Sequence, residues 1–190
     1  GMLKQIIIGG LLGGITLFMW GFVSWAAMGW HSTTIVQSHE GVSAVVDGIE
    51  NNLPETGVYY FPPKPTDPDK VEAWMESHKT QPHGLIFYYA ELGQIMPPNM
   101  FVRGFCADVI ASMMATILLI MAIPSLAGYW SRVMFIFSLG VFAVMSVHLV
   151  NGVFFTMPLT WTIGLGVDLS ASWLFAGLVL GSIIRPKADE

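Results

Sequence analysis

Four long apolar segments dominate the pattern of hydrophobic and polar residues along the chain. A helix that crosses a bilayer needs about 20 predominantly apolar residues. The segments of this length are 5–30, 103–126, 132–156 and 161–184. Pro124 ends the second of them, and a turn containing Pro158 separates the third from the fourth. We therefore predict a membrane all-α four-helix bundle.

The segment 31–102, between the first two apolar segments, has the sequence patterns of short helices and strands. Asp67 followed by Pro68 is typical of a helix start. One amphipathic helix is predicted from helical spacing, with Val42, Val45, Val46 and Ile49 on one face. Two strands are predicted at 58–61 and 84–89. We expect a small α+β cap, in the order α-β-α-β, that rests on the helix ends or on the membrane, since two strands alone are marginally stable.

The positive residues that flank the spans predict an orientation. They fall on one side of a four-span bundle, whereas the loop between the third and fourth spans has none; they are Lys4, Arg132, Arg185 and Lys187. The positive-inside rule then places both termini and the tail 185–190 in the cytoplasm, and the cap outside. We expect a multi-pass protein of a bacterial inner membrane.

Composition excludes several classes of protein. The chain has 190 residues, of which 54% are hydrophobic and 11% charged, whereas soluble domains carry about 25% charged residues. A soluble enzyme and a disordered protein are therefore excluded. The net charge of -5 leaves no basic surface for nucleic acid. Cys106 is the single cysteine, which excludes a dithiol oxidoreductase.

Small residues in the first span predict close helix packing. They form two overlapping small-xxx-small pairs, made by Gly9, Gly10, Gly13 and Gly14. Such pairs let two backbones approach in lipid, where dispersion is the main attraction. We expect the contact either within the bundle or between protomers. Besides the lipid bilayer, the possible partners are therefore a second copy of the chain or another membrane protein.

Three ionisable residues interrupt the apolar spans, namely Asp108, His148 and Asp168. Such residues are costly in hydrocarbon and are functional candidates by default. At a rise of about 1.5 Å per residue, all three lie about 7 to 10 Å below the outer edge of the bundle. We therefore expect them in one layer near the cap.

Further polar residues share helix faces with these three. Ser112 and Thr116 continue the stripe of Asp108, Ser172 follows Asp168 by one turn, and Asn151 follows His148. His31 and Arg103 stand at the outer helix ends. The candidate site residues are therefore Asp108, His148, Asn151, Asp168, Ser172, His31 and Arg103.

Two interpretations of this layer remain open. Interhelical hydrogen bonds, with Arg103 neutralising Asp108, would make it structural. A converging pair of carboxylates with an imidazole would instead bind a cation, pass a proton or activate water.

Histidines and methionines of the cap raise the question of a metal. They are His31, His39, His78, His83, Met96 and Met100. Such soft ligands suit copper, but no H-x-H or H-x-x-x-H spacing occurs. The sequence therefore identifies no metal site, and it leaves the cofactor and metal binding by the cap open.

The layout resembles that of the lipoprotein signal peptidases, which have four spans, a cap after the first and two outer aspartates. That family carries N-x-x-D-R on the third span and F-N-x-A-D on the fourth. Here the third span reads His148-Leu149-Val150-Asn151 and the fourth Gly166-Val167-Asp168. Because the third span has no aspartate, the resemblance implies the layout and not the activity.

A second resemblance covers more of the chain. The Trp30-His31 junction and the stretch 151–173 are similar to small bacterial inner-membrane proteins of no assigned function, which implies a fold but no reaction. We expect a non-enzymatic binding or accessory protein that holds a lipid, a small ligand or a partner subunit. The alternative is a membrane-embedded enzyme or a proton- or cation-coupled site.

Overall fold

The computed structural model describes residues 1–35, 40–91 and 93–186. The chain is mostly helical, and four helices are long and apolar enough to cross a membrane, which confirms that part of the predicted fold. These four spans are Met2–Ala27, Pro98–Ser125, Tyr129–Phe154 and Leu159–Ile183. His39 and Lys187, which entered the predictions above, lie outside the described residues.

The spans are not uniform α-helices. The α-helices of the chain are α1 (Met2–Phe22), α2 (Val42–Asn52), α3 (Val71–Ser77), α4 (Pro98–Ala122), α5 (Tyr129–Ala143), α6 (Val150–Phe154) and α7 (Leu159–Ile183). The first span ends in a π-helical turn, Val23–Ala27, and a second π-helical turn, Val144–Leu149, joins α5 to α6. Short 3₁₀ helices are formed by Trp30–Thr33, Pro68–Lys70 and Ile123–Ser125.

Two spans begin earlier than the hydropathy pattern alone places them. The second begins at Pro98, which suits the first position of a helix because proline lacks the N–H that would be unpaired there. The third begins at Tyr129 rather than after Arg132. Arg132 therefore lies inside a helix and is buried, and is not a flanking loop residue.

The first span packs closely against the second through its glycines. Gly9, Gly10, Gly13 and Gly14 are all buried. Gly13 faces Ser112, whose hydroxyl donates a hydrogen bond to the Gly9 carbonyl at 2.9 Å. A Cβ on Gly14 would lie 2.8 Å from the Cα of Val109. The backbones of α1 and α4 therefore approach too closely for side chains at these positions, and the contact lies within one chain.

The end of the bundle at which the second span meets the third is called the Arg132 end. Its core is apolar and contains Leu119, Ile136, Leu180 and Ile184. The Nε of Arg132 donates to the Gly181 carbonyl at 3.0 Å, and its Nη1 donates to the carbonyls of Leu126 and Ala127. Arg132 thus ties the loop between spans two and three to α7.

The segment between the first two spans contains a two-stranded antiparallel sheet, as predicted. Strand β1 (Gly57–Phe61) pairs with β2 (Gly84–Tyr88), with Gly57 opposite Tyr88 and Phe61 opposite Gly84. The rings of Tyr59 and Tyr88 lie 6.4 Å apart across the sheet. Helix α3 lies in the connection between the strands, and Trp74 within it donates its indole N–H to the Pro62 carbonyl.

Helix α2 has no buried residue. Val42, Val45 and Val46 on its apolar face are each about half exposed. That the cap rests on the helix ends or on a membrane surface therefore stays a prediction.

Candidate functional site

The opposite end of the bundle, where the spans meet the cap segment and the short loop after α6, is called the cap end. Both π-helical turns lie in this half of their spans. One carries Ser24 and Trp25, and the other carries His148. A π-helical turn places one more residue in a turn than an α-helix does, and such turns occur frequently at functional sites.

Asp168 of α7 is the centre of a hydrogen-bond network at the cap end. Its Oδ1 accepts from the Nε1 of Trp20 at 2.9 Å and from the hydroxyl of Ser24 at 2.5 Å. Its Oδ2 accepts from the Nε1 of Trp25 at 3.2 Å. Three neutral donors from the first span therefore hold one carboxylate of the fourth. Hydrogen bonds of this kind to a charged acceptor are stronger than those between neutral groups.

The proton of Ser24 fixes the tautomer of His31. The Ser24 hydroxyl has one proton, and that proton goes to Asp168. Its oxygen accepts from the Nε1 of Trp30 at 3.0 Å and lies 3.1 Å from the Nε2 of His31. Nε2 must then carry a hydrogen and donate it, because the hydroxyl has no second proton to give. The remaining ring nitrogen, Nδ1, is buried and has no hydrogen-bond partner among the described residues.

His31 lies between two indoles. Its ring stacks on that of Trp25 with 3.5 Å between centroids and 7° between planes, and the ring of Trp30 lies 3.9 Å away on a tilt of 35°. Only 4% of His31 is exposed. Its Nε2 is 4.0 Å from the Oδ1 of Asp168. The Trp30–His31 junction is thereby fixed onto the first and fourth spans.

A cavity of about 340 Å³ adjoins Asp168. Its walls bring together Asp108, His148 and Asp168, the three ionisable residues that interrupt the predicted apolar segments. Three indoles also line it, those of Trp20, Trp25 and Trp173, together with small residues such as Gly21, Ala111 and Ser172. Sites for small molecules have this form, with apolar and aromatic walls and a few polar groups.

The charges around this cavity are unbalanced. No Lys or Arg of the described residues lines it. Asp108 forms no ion pair or hydrogen bond with any residue in the described part of the chain. Arg103 is exposed and lines a different pocket with Tyr89 and Glu91, so the interpretation that Arg103 neutralises Asp108 is wrong. Two carboxylates thus face a cavity to which the described part of the chain contributes no permanent cation.

The remaining candidate residues divide between the cavity and the helix contacts. Ser172 lines the cavity but donates its hydroxyl to the Leu169 carbonyl of its own helix. Asn151 is half-buried and does not line the cavity. Ser112 and Thr116 are fully buried in the contact with α1, and Thr116 bonds the Ser112 carbonyl. The cavity is therefore lined by only some of the candidate residues drawn from the sequence.

Ser24 is not arranged as a nucleophile. A catalytic serine donates to a histidine that a third group orients through its other ring nitrogen. Here Ser24 donates to the carboxylate itself, and the Nδ1 of His31 has no orienting partner among the residues described. Ser24 is also fully buried, so no substrate reaches its hydroxyl. This network serves to hold Asp168 in place.

Metal binding lacks a ligand set in the described ranges. Across residues 1–35, 40–91 and 93–186, no three His, Cys, Asp or Glu side chains are grouped so that they could hold a metal ion. In the cap, the Nε2 of His78 is 2.9 Å from the Tyr60 hydroxyl, and its Nδ1 is 2.8 Å from the Trp74 carbonyl. Both ring nitrogens of His78 are therefore engaged.

The indole and hydroxyl donors of Asp168 were not among the candidates drawn from the sequence. Trp25 and Trp30 have the position of an interfacial aromatic belt, and Trp20 and Ser24 look like ordinary residues of an apolar span. The available signal was the density of indole N–H groups, with three tryptophans in the eleven residues 20–30. A buried indole N–H needs an acceptor, and carboxylates are scarce in the spans.

Comparisons with protein-family models, with curated protein sequences and with solved structures find no match for this chain.

Proposed function

We propose that this chain is a multi-pass membrane protein that binds a small ligand in the cavity at the cap end, as a receptor or accessory subunit and not as an enzyme. One observation carries the proposal: Asp108, His148 and Asp168, from three different spans, line a single cavity. With four spans, cytoplasmic termini and an outer cap follow from the positive-inside rule and form part of the proposal, as does a bacterial inner membrane as the location.

The difference between the two aspartates supports a binding role. Asp168 is held by Trp20, Ser24 and Trp25, so its position is fixed before any ligand arrives. Such preorganisation reduces the entropy that binding would otherwise cost. Asp108 has no partner in the described ranges, and an unpaired group in a cavity raises stability little while it remains available to a ligand.

The enzyme alternative uses the same cavity, with His148 and the aspartates as acid and base. Ser24 carries the hydroxyl that Asp168 holds, but it is fully buried and therefore cannot act as a nucleophile in such an enzyme. A proton- or cation-coupled site remains compatible with binding, since either begins with occupation of the same carboxylates.

Thiol accessibility tests the proposal without knowledge of the ligand. In a Cys106→Ala background, a cysteine at Ala111 lies on the cavity wall. We expect Ala111→Cys to react with the small neutral reagent methyl methanethiosulfonate, because a binding cavity must admit small molecules. Met75→Cys, on the exposed face of α3, is the positive control. If Met75→Cys reacts and Ala111→Cys does not, the cavity is closed and the proposed function is wrong.

A further inference from the structure

We propose that the cavity at the cap end takes a small organic ammonium ion. The inference rests on the proposed function and deepens it, since it names the chemical class of the ligand. It is carried by the combination of unbalanced carboxylates and indole walls in one cavity of about 340 Å³.

Charge is the first argument. Among the residues that the structure describes, Asp108 and Asp168 line the cavity, and no Lys or Arg does. His31 is the nearest cationic candidate for Asp168; the proton count at Ser24 places a hydrogen on its Nε2, and its Nδ1 is buried without a hydrogen-bond partner among the described residues. A charged imidazole would leave a second N–H unsatisfied there. His148 also lines the cavity, but an imidazole is not a permanent cation. A positive ligand would therefore supply the permanent charge that no Lys or Arg of the described residues supplies there.

The residues that form the cavity walls are the second argument, because they favour an organic cation over a metal ion. Hard metal ions require several oxygen ligands around them, and the described residues offer no cluster of three or more metal-binding side chains. Trp20, Trp25 and Trp173 instead line the cavity with indoles. Indole faces attract ammonium groups, and aromatic walls together with carboxylates recognise alkylated ammonium ions.

The two carboxylates have different parts in this site. Asp168 already accepts two hydrogen bonds at Oδ1 and one at Oδ2, so this carboxylate contributes a fixed negative charge and little remaining acceptor capacity. Asp108 is unpaired within the described residues and is the group that would move toward a ligand. A quaternary ammonium ion fits this division, because it offers charge and apolar surface but no N–H to be bonded.

The experiment compares choline with its uncharged isostere, 3,3-dimethylbutan-1-ol. The full chain is titrated in detergent micelles while its tryptophan fluorescence is followed, since three cavity residues are indoles. We expect saturable binding of choline that is at least tenfold tighter than that of the isostere. Choline, and not the isostere, should also slow the reaction of Ala111→Cys with methyl methanethiosulfonate in the Cys106→Ala background.

Two variants localise the effect. Asp108→Asn removes one cavity charge with little change in shape and should weaken choline binding at least tenfold. Asp47→Asn removes one charge from exposed α2 and should leave choline binding unchanged. Equal binding of choline and the isostere, or an Asp108→Asn variant that binds choline normally, would overturn the ammonium assignment.

The two proposals fail separately. If Ala111→Cys reacts but choline neither binds nor protects it, the cavity is open and the ligand class is wrong. If Ala111→Cys does not react although Met75→Cys does, the proposed function itself fails, and the ammonium site fails with it.

Discussion

The two ends of the bundle differ in how completely their charged side chains are hydrogen-bonded. At the Arg132 end, a single arginine donates to the carbonyls of Gly181, Leu126 and Ala127 amid a tightly packed apolar core. At the cap end, Asp168 is equally well bonded, but Asp108 faces the same cavity without a partner among the residues described. A satisfied charge indicates a structural role, whereas an unsatisfied one beside a cavity indicates a site. The contrast predicts different responses to substitution.

The largest effect is expected where the first and second spans touch. Gly14→Leu should lower the free energy of unfolding by about 3 kcal/mol, because its side chain would overlap the backbone of Val109 and force the helices apart. Unfolding by SDS in mixed micelles measures this. Gly104→Leu on α4 is the matched control and should change stability little, because a Cβ at Gly104 would meet no described atom within 4 Å beyond its chain neighbours and the adjacent backbone of its own helix. Equal stability of the two variants would contradict the close contact.

Removal of the arginine should cost less. Arg132→Met leaves three carbonyls without their donor and should lower the free energy of unfolding by about 2 kcal/mol, the cost typical of unsatisfied buried polar groups. The same SDS titration measures it. Choline binding should survive, since Arg132 lies at the opposite end from the cavity. A loss of binding in a variant that remains folded would show that the two ends are coupled.

The smallest changes in stability are expected for the two aspartates, and substitution of one should differ from substitution of the other. Asp168→Asn weakens the charge-assisted bonds from Trp20, Ser24 and Trp25 and should cost about 1 kcal/mol, the net value of one ordinary hydrogen bond. Asp108→Asn breaks no bond to a described residue and should leave stability unchanged or slightly raised. Thermal unfolding of both variants tests this difference. Similar losses in both would assign Asp108 a structural role.

The sequence predicts the parts of this fold that depend on the length and composition of local segments. Four long apolar segments predict four long helices, and the short β-branched and aromatic runs around Tyr59 and Ile86 predict the strands that pair in one sheet. The rise of an α-helix also assigns similar depths to Asp108, His148 and Asp168, and these three side chains do line one cavity.

Sequence periodicity does not reveal the environment of Asp168. The π-helical turns change the angle per residue, so the facing of Ser24 and Trp25 does not follow from α-helical spacing. Hydropathy treats tryptophan as an apolar anchor, although Trp20 and Trp25 act as hydrogen-bond donors. The early start of α5, which buries Arg132, depends on carbonyl acceptors in other elements that no local pattern displays.

The network around Asp168 also has a consequence for the order in which the chain assembles. The hydrogen bond from Ser24 to Asp168 spans 144 residues of sequence, and those from Trp20 and Trp25 span 148 and 143. Of the four spans, the one that carries the donors is synthesised first and the one that carries the acceptor is synthesised last. Contacts of such long separation form late in folding, because the intervening chain must be ordered first. The candidate site is thus completed only when the fourth span joins the other three, and a nascent chain released before Asp168 would hold its indoles and hydroxyl without their acceptor.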